Sequence, residues 1–503
     1  MHVVSREEMQ TIDQYTIKTI GLGGPILMEN AGRAIETALV KFLKAKDKIV
    51  IVVGKGNNGG DGFVVSRLLL DRDYHSTTWL LPETDAIQGD ARVHMDAFLA
   101  SGGTLHDIKG DPGHFVRELE NADVIIDALL GTGFHGIPYA DYGQVIDQMN
   151  QAQAKIVSVD LPSGVPANGE SFSHSAVLAS VTLTLVCPKM AQFVQPAAKS
   201  FGRTEVLDIG IPKRSIQACH VQRSIWSKED VLRTLPKRNP FSHKGSNGKG
   251  LVIAGSQPMP GAAFFAAKAA LRSGIGLLRI SVPDEIKPIV ASLLPEVMHQ
   301  SRGAIDFQGL NGIAIGPGLG RGQDMAEYVL RVLETDVPCV IDADGLYHLA
   351  GMLDRLKAQR KTVILSPHSG EMARLIGGSV RDVENNRFEV SQMFAKEYGV
   401  YLILKGRNTI ITAPDGSQVI NLSGNAALAK GGSGDVLTGI LLGLLLQHKN
   451  VIDALCNAVY LHGALADDLV QTGHSQLDVL ATDLIEQIPP VLHRLYLEAE
   501  TFA

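Results

Sequence analysis

The chain has 503 residues, a net charge of −7, 45% hydrophobic residues and 20% charged residues. That balance excludes wholesale disorder, and at about 150 residues per domain the length predicts two to four domains. Glycine is frequent at 52 residues and aromatics are scarce at 5%, which suits an α/β protein with Gly-rich ligand loops, and the missing basic surplus argues against nucleic acid and anionic membrane as partners.

At the N-terminus, MHVVSREEMQ has no apolar signal core, and Ser5-Arg6-Glu7-Glu8 reads as a capping box that opens a helix. In the first half, β-branched runs at 48–53, 76–81, 124–128, 156–160, 182–186 and 205–209 predict strands. Their nearly continuous apolar character predicts parallel strands covered on both faces. Helical patterns such as 61–70 lie between them, so the strands are joined by crossovers into a doubly wound sheet. The pattern weakens from Pro212 to about Gln222, and Ser227 then reads as the N-cap of a new helix. A domain boundary is expected near 216–223.

Beyond it, strands are predicted at 251–254, 278–282, 312–315, 339–342, 362–365 and 401–404, with a helix at 262–272. Two strands with a turn at Pro414-Asp415-Gly416 read as a hairpin. The basic stretch from Pro236 to Lys249 is either a solvated linker or a set of phosphate contacts at a domain entrance. The apolar run 440–446 is too short to span a bilayer. Cys187, Cys219, Cys339 and Cys456 are far apart, so neither a disulfide framework nor a zinc site is expected, and the cytoplasm is the expected compartment.

Three segments of the first half carry polar groups at strand ends. Gly54, Gly56 and Gly59 satisfy GxGxxG after a strand and before a helix, an arrangement that brings backbone N–H groups to an anion. A Gly-rich turn without ligand is the other reading of that loop. Asp127 runs into Gly131-Thr-Gly-Phe-His-Gly136, and Asp160 runs into Leu-Pro-Ser163-Gly. Strand ends of an open α/β sheet line one crevice, so Asn58, Asp127, Asp160 and Ser163 can converge there. A lone strand-end aspartate would otherwise be a helix cap.

In the second half, Gly431-Gly432-Ser433-Gly434-Asp435 leads into an apolar helix. Exposed N–H groups there would form an anion hole for a transferred phosphoryl group, with Asp435 as the base that takes a proton from the attacking hydroxyl. A Gly-rich turn with an aspartate cap is the alternative. Asp342 and Asp344 are either a Mg²⁺ pair or strand-end caps. Lys405 either faces phosphate or is a surface lysine.

The NNGGDG, GTGFHG and VDLPSG motifs together resemble the epimerase domain of the NAD(P)H-hydrate repair family, over about residues 1–215, with a Rossmann-like fold. The resemblance implies that Asn57, Asn58, Gly59, Gly60, Asp61, Gly131, Thr132, Gly133, Phe134, His135, Gly136 and Ile137 hold the hydrated dinucleotide. It implies Asp160 as the catalytic carboxylate at the nicotinamide ring and Asn58, Asp127 and Ser163 as K⁺ ligands, a set of hard oxygen donors. The GGSGD segment is similar to the ribokinase-like fold. With NGKGLVIAGS, GPGLG, IDADG, SPHSGE and LKGRNT in order, residues 226–503 resemble the dehydratase domain of the same family. There the resemblance implies Ala262, Gly318, Leu319, Gly320, His368 and Asp435 around the hydrated ring. It implies Lys405, Gly406, Arg407, Asn408, Thr409 and Gly434 around an adenine nucleotide.

The expected function is therefore repair of hydrated NADH and NADPH. The R and S epimers would be interconverted, and the S form dehydrated at the expense of ADP, giving AMP and phosphate, with Mg²⁺ assisting phosphoryl transfer. A homo-oligomer is expected, since fused chains of this type commonly assemble. A ribokinase-like kinase for a small hydroxylated molecule, with a nucleotide-binding N-terminal module, is the alternative; the SPHSGEM and GPGLG motifs and the fused first domain count against it. A first domain that only binds is the other class, and the presence of Asp160, Asn58, Asp127 and Ser163 discriminates against it.

Overall fold

The computed structural model describes residues 1–502. The chain divides into two compact units, residues 2–221 and the residues from Gln222 on together with Met1. In the first unit seven strands form one sheet: β1 (Ile49–Val53), β2 (Ser76–Leu80), β3 (Leu105–Asp107), β4 (Val124–Ala128), β5 (Lys155–Val159), β6 (Val181–Leu185) and β7 (Arg203–Leu207). Their order is β3-β2-β1-β4-β5-β6-β7, with all neighbours parallel. The order reverses between β1 and β4, and that switch point opens a crevice beyond the carboxyl ends of the strands. β1 is buried along its whole length because helices cover both faces. One apolar layer gathers around Phe63, Ile51 and Ile126, and the other around Trp79, Phe115 and Ile146.

The second unit carries ten strands: β8 (Arg223–Trp226), β9 (Lys249–Ile253), β10 (Leu277–Val282), β11 (Met298–Ser301), β12 (Gly312–Ile315), β13 (Cys339–Ile341), β14 (Val363–Leu365), β15 (Tyr401–Leu404), β16 (Thr409–Thr412) and β17 (Gln418–Asn421). The order is β11-β10-β9-β12-β13-β14-β15-β16-β17-β8. The hairpin β16–β17 is antiparallel, as is the pair β15–β16, and every other pairing is parallel. Here the order reverses between β9 and β12. The Ala-rich helix Pro260–Arg272 and the Leu-rich helix Ser433–Leu445 pack closely on one face, where Gly439 lets the two backbones meet.

Three short strands escape the sequence pattern: β3, β8 and β11. Residues 223–226 belong to the second unit, where β8 pairs with β17, so that unit starts a strand earlier than the helix capped by Ser227. The four cysteines are free, and no helix among the described residues is long and apolar enough to cross a membrane.

Candidate active sites

The first site lies at the β1–β4 crevice, in a cavity of about 660 Å³. β5 ends at Val159, and Asp160 follows in the left-handed region at φ 64°. Val186, the residue after β6, has the same φ. Such backbone costs of order 1–3 kcal/mol and persists where surrounding bonds hold it. Here they are visible: the Leu185 N–H donates to Asp160 Oδ1 at 3.1 Å, and the Asp160 N–H to the Leu183 carbonyl at 2.8 Å. The Lys189 ammonium donates to the same Asp160 oxygen, to Thr184 Oγ1 at 3.1 Å and to the Leu185 carbonyl at 2.9 Å. Its side chain is only 1% exposed, so its charge is compensated entirely inside the protein.

Two further carboxyls share the cavity. Burial and the charges of Asp160 and Asp13 push the Asp61 carboxyl well above the ordinary aspartate value. Burial and the Asp160 charge push Asp13 up to about 6. The site thus places, beside the aspartate held by lysine, two carboxyls that take up a proton more readily than an ordinary aspartate.

Of the residues expected at the dinucleotide, Asn57, Asn58, Asp61, Gly131, Thr132, Gly133, Phe134, His135, Ile137 and Asp160 line the cavity. Gly59, Gly60 and Gly136 do not. Gly59 is a packing residue instead: a Cβ there would stand 1.9 Å from the Gly54 carbonyl oxygen. Gly60 backs onto Met28.

Beneath the cavity wall, Asn58 and Ser163 meet at the Leu130 carbonyl, and Asp127 joins them through Ser163. That oxygen accepts from Asn58 Nδ2 at 3.0 Å and from Ser163 Oγ at 3.2 Å. Asp127, wholly buried at the end of β4, accepts from Ser163 Oγ at 2.5 Å, Ser163 N–H at 2.9 Å and Ser158 Oγ at 2.8 Å. Burial raises the Asp127 carboxyl above its ordinary value, although the bonds from Ser163 and Ser158 pull against it. The Asp127 carboxylate, the Ser163 hydroxyl and the Leu130 carbonyl are oxygen donors of the kind a hard cation takes, and Asn58, which turns its amide N–H to the same carbonyl, would add its oxygen on a flip of the amide.

The second site is a cleft of about 380 Å³ lined by Ala262, Gly318, Asp344, Glu371, Gly432 and Asp435, among others. Gly432 caps the helix Ser433–Leu445 at φ 89°, a conformation costly for a side chain-bearing residue, and the helix N-terminus opens on the cleft. Asp435 stands in the first turn. Burial, then the charges of Asp342 and Asp344, push its carboxyl up to about 7 against the pull of Lys405. Lys405, directly after β15, donates to Asp342 Oδ1 at 2.8 Å and lies 3.7 Å from Glu371. Burial works against its ammonium, but Asp342 and Glu371 hold it above the ordinary lysine value. A Cβ on Gly434 would lie 3.8 Å from Lys405 Nζ, so the anion-hole turn and the lysine face one spot.

Asp342 and Asp344 have separate partners. Asp342 takes Lys405 and Thr438 Oγ1, the latter at 2.6 Å, and Asp344 takes the Gly320 N–H and Arg321 Nε, both at 3.0 Å. They are anchors, and among the described residues no cluster of three or more His, Cys, Asp or Glu side chains could hold a metal. Leu319 is buried in the core, so only its backbone can face the cleft. Gly320 turns its N–H to Asp344. His368 caps the helix Ser369–Ile376 through Nδ1, while Nε2 lies 3.4 Å from Glu371 and the side chain is 60% exposed. Lys405, Gly406, Arg407 and Asn408 form the turn between β15 and β16, and Thr409 opens β16. Arg387 buttresses it, donating to the carbonyls of Leu404 at 2.9 Å, Lys405 at 3.2 Å and Asn408 at 3.4 Å.

Four residues central to this geometry carry no motif: Asp13, Lys189, Arg387 and His462. His462 Nε2 lies 2.9 Å from the Ser433 carbonyl, and burial pushes its imidazole down to about 4. The ring is neutral and donates, which pins the first turn of the Asp435 helix. His462 interrupts the apolar stretch 459–465, a signal that could have flagged it, whereas Asp13 and Arg387 lie in polar stretches that carry no such signal.

Two family models match the chain: the YjeF-related protein N-terminus over residues 24–191 and the NAD(P)H-hydrate dehydratase over residues 250–490. The bifunctional NAD(P)H-hydrate repair enzyme Nnr of Moorella thermoacetica is 36% identical, covering 100% of this chain and 98% of that protein. The enzyme of the same name from Coxiella burnetii is 35% identical over 92% of this chain and 93% of its own length. Among solved structures, the ADP/ATP-dependent NAD(P)H-hydrate dehydratase of Bacillus subtilis, co-crystallised with ATP and Mg²⁺, is 38% identical with a TM-score of 0.51. It covers 54% of this chain and 98% of that chain.

Proposed function

The chain belongs to the family of bifunctional NAD(P)H-hydrate repair enzymes, and we propose from that premise how its two sites divide the work. The first unit, residues 2–221, is the epimerase of R and S hydrates. The second, from Gln222 on, dehydrates the S hydrate to NADH or NADPH. The observation that carries the reading is the same pairing in both units: an aspartate directly after a parallel strand is ion-paired with a lysine at the site, Asp160 with Lys189 and Asp342 with Lys405.

Water added to the dihydronicotinamide ring leaves a hydroxyl on the carbon next to the ring nitrogen. In the first site Asp160 takes the hydroxyl proton as the ring opens and returns it when the ring closes on its other face. In the second site Asp435 takes that proton as the hydroxyl oxygen attacks the terminal phosphoryl group of the nucleotide. Lys405 and the N–H groups of the Gly432–Gly434 turn stabilise the charge that grows on the phosphoryl oxygens. The phosphate then leaves with its bonding pair, a proton leaves the neighbouring ring carbon to solvent or the departing phosphate, and the freed C–H pair restores the ring double bond. ADP is the proposed donor, leaving AMP. Mg²⁺ would arrive on the nucleotide phosphates, its usual mode.

K⁺ would be held by Asn58, Asp127, Ser163 and the Leu130 carbonyl, where it would offset the buried Asp127 charge and tie the Gly131 loop to the end of β4. Exchanging K⁺ for tetramethylammonium is expected to slow R–S exchange and leave dehydration unchanged, measured separately on each epimer. Equal exchange rates in both salts would remove the cation.

The defining experiment mixes the purified chain with both NADH hydrates, Mg²⁺, K⁺ and either ADP or ATP, and follows the absorbance of the restored dihydronicotinamide. Recovery of the whole mixture, faster than spontaneous interconversion, is expected with ADP. Recovery of the S fraction alone would leave the first unit without epimerase activity. No recovery with either nucleotide would favour the small-molecule kinase.

A further inference from the structure

The segment ahead of β1 brings a carboxyl into the first site. Val4 bridges Lys189 in parallel pairing, its N–H donating to the Pro188 carbonyl at 3.0 Å and its carbonyl accepting from Met190 N–H at 3.1 Å. Ser5 then caps the helix Arg6–Tyr15 through reciprocal bonds with Glu8. The start of that helix is therefore tied to the strand end that carries the Asp160 partner, Lys189. With about 3.6 residues per turn, Met9 and Asp13 share one face of this helix, and Ile17 follows in the π-helical turn Thr16–Ile20. All three line the cavity with Asp160 and Lys189, while Ile12 and Thr16 on the flank are fully buried.

Asp13 is thus the one ionisable group that this wall, with Met9, Gln10 and Ile17, turns to the cavity. Among the described residues no hydrogen-bond donor meets its carboxyl. Burial and the Asp160 charge, opposed by Lys189, put it near 6, where a carboxyl can both give and take a proton at physiological pH. Asp61 also faces the cavity, and burial with the charges of Asp160 and Asp13 raises its carboxyl well above the ordinary aspartate value. Asp13 also lies outside the matched family model, which begins at residue 24.

We propose that Asp13 is the second acid–base residue of the epimerisation site, handling the proton of the ring nitrogen while Asp160 handles that of the hydroxyl. The inference rests on the epimerase reading above. In the opening step Asp160 takes the hydroxyl proton, the O–H electron pair becomes the second bond of a carbonyl, and the carbon–nitrogen bond breaks with its pair on nitrogen. The nitrogen takes the proton of Asp13. After rotation about the adjacent carbon–carbon bond, the nitrogen attacks the opposite carbonyl face and returns its proton to Asp13. Asp160 returns its proton to the oxygen. Both carboxyls end as they began, and no other reactant is consumed.

The test uses the full chain and the R hydrate left after the S fraction has been consumed. Asp13→Asn is expected to lower kcat for R-to-S exchange by about 10²- to 10⁴-fold. KM and dehydration of S hydrate should stay unchanged. Wild-type kcat in this variant, or a change confined to KM, would overturn the proposal. Should the Asn variant lose the thermal transition of its first unit, Asp13→Ala with added formate decides. Exchange restored by formate supports the role, and no restoration in a variant that still binds R hydrate in equilibrium dialysis overturns it. A wild-type chain that does not exchange the epimers would instead sink the epimerase reading itself.

Discussion

Asp435→Asn is expected to lower dehydration of the S hydrate by about 10²- to 10⁴-fold, the range of a lost general base, while R–S exchange proceeds at the wild-type rate. The substitution is nearly isosteric and keeps an oxygen acceptor in the first turn of the helix Ser433–Leu445, so the cleft should survive it. What is lost is the capacity to hold a proton. The sign of the accompanying pH effect follows from the raised carboxyl. The base acts when ionised, and burial with the nearby Asp342 charge has moved its titration up to about 7. Wild-type kcat/KM for dehydration should therefore fall as pH drops through about 7, and the Asn variant should show no such limb. A variant that dehydrates at the wild-type rate would remove Asp435 from proton transfer. A variant that is slow yet keeps the limb would assign the limb to another group, with Glu371, which also faces the cleft and is 12% exposed, the first to examine.

Much of this architecture was legible because parallel strands covered on both faces read as unbroken apolar runs. β1, β4 and β12 are buried at every position, and the sequence marks each of them. The strands that escaped, β3, β8 and β11, all lie at sheet edges. β3 and β11 have no fully buried position, and β8 reads Arg-Ser-Ile-Trp with each residue half-buried. An edge strand has one neighbour and incomplete cover, so nothing forces the apolar run by which a central strand is recognised.

The sites divide along a similar line. Residues in glycine-rich strand-to-helix loops were legible, because a loop that brings backbone to an anion needs small residues in a fixed order. The groups that tune the chemistry come from far along the chain. Lys189 reaches back 29 residues to Asp160, and Lys405 reaches 63 to Asp342. Asp13 comes from a helix before the first strand, and His462 from a helix after the Asp435 helix. No local pattern records such pairings, because tertiary packing creates them. For Asp342 and Asp344 the sequence offered a metal pair or two caps, and the fold makes them anchors for Lys405 and for Arg321 with the Gly320 N–H.

Asp160→Asn is expected to abolish R–S exchange and leave the S hydrate dehydrated at the wild-type rate. A mixed-hydrate progress curve would then show a fast phase the size of the S fraction, followed by recovery at the spontaneous rate. The stability consequence separates the chemical role from the structural one. The Lys189 side chain is 1% exposed and the Asp160 side chain 10%, so removing one partner leaves the other charge buried without its counter-ion, a loss of about 3–5 kcal/mol for such pairs. The Leu185 carbonyl and Thr184 hydroxyl remain as acceptors for the ammonium, so the Asn variant should fall at or below the low end of that range. Lys189→Met leaves the carboxylate with the Leu185 N–H and the Thr184 hydroxyl, fewer donors than a buried charge needs, and should cost more. Removing both should destabilise the first unit by less than the sum of the single changes, because neither charge is then stranded. The double variant should nevertheless be inactive. Stabilities that simply add would show that the two groups do not act as a pair. Exchange that survives in the Asn variant would pass the hydroxyl proton to Asp61 or Asp13, the other carboxyls in the cavity.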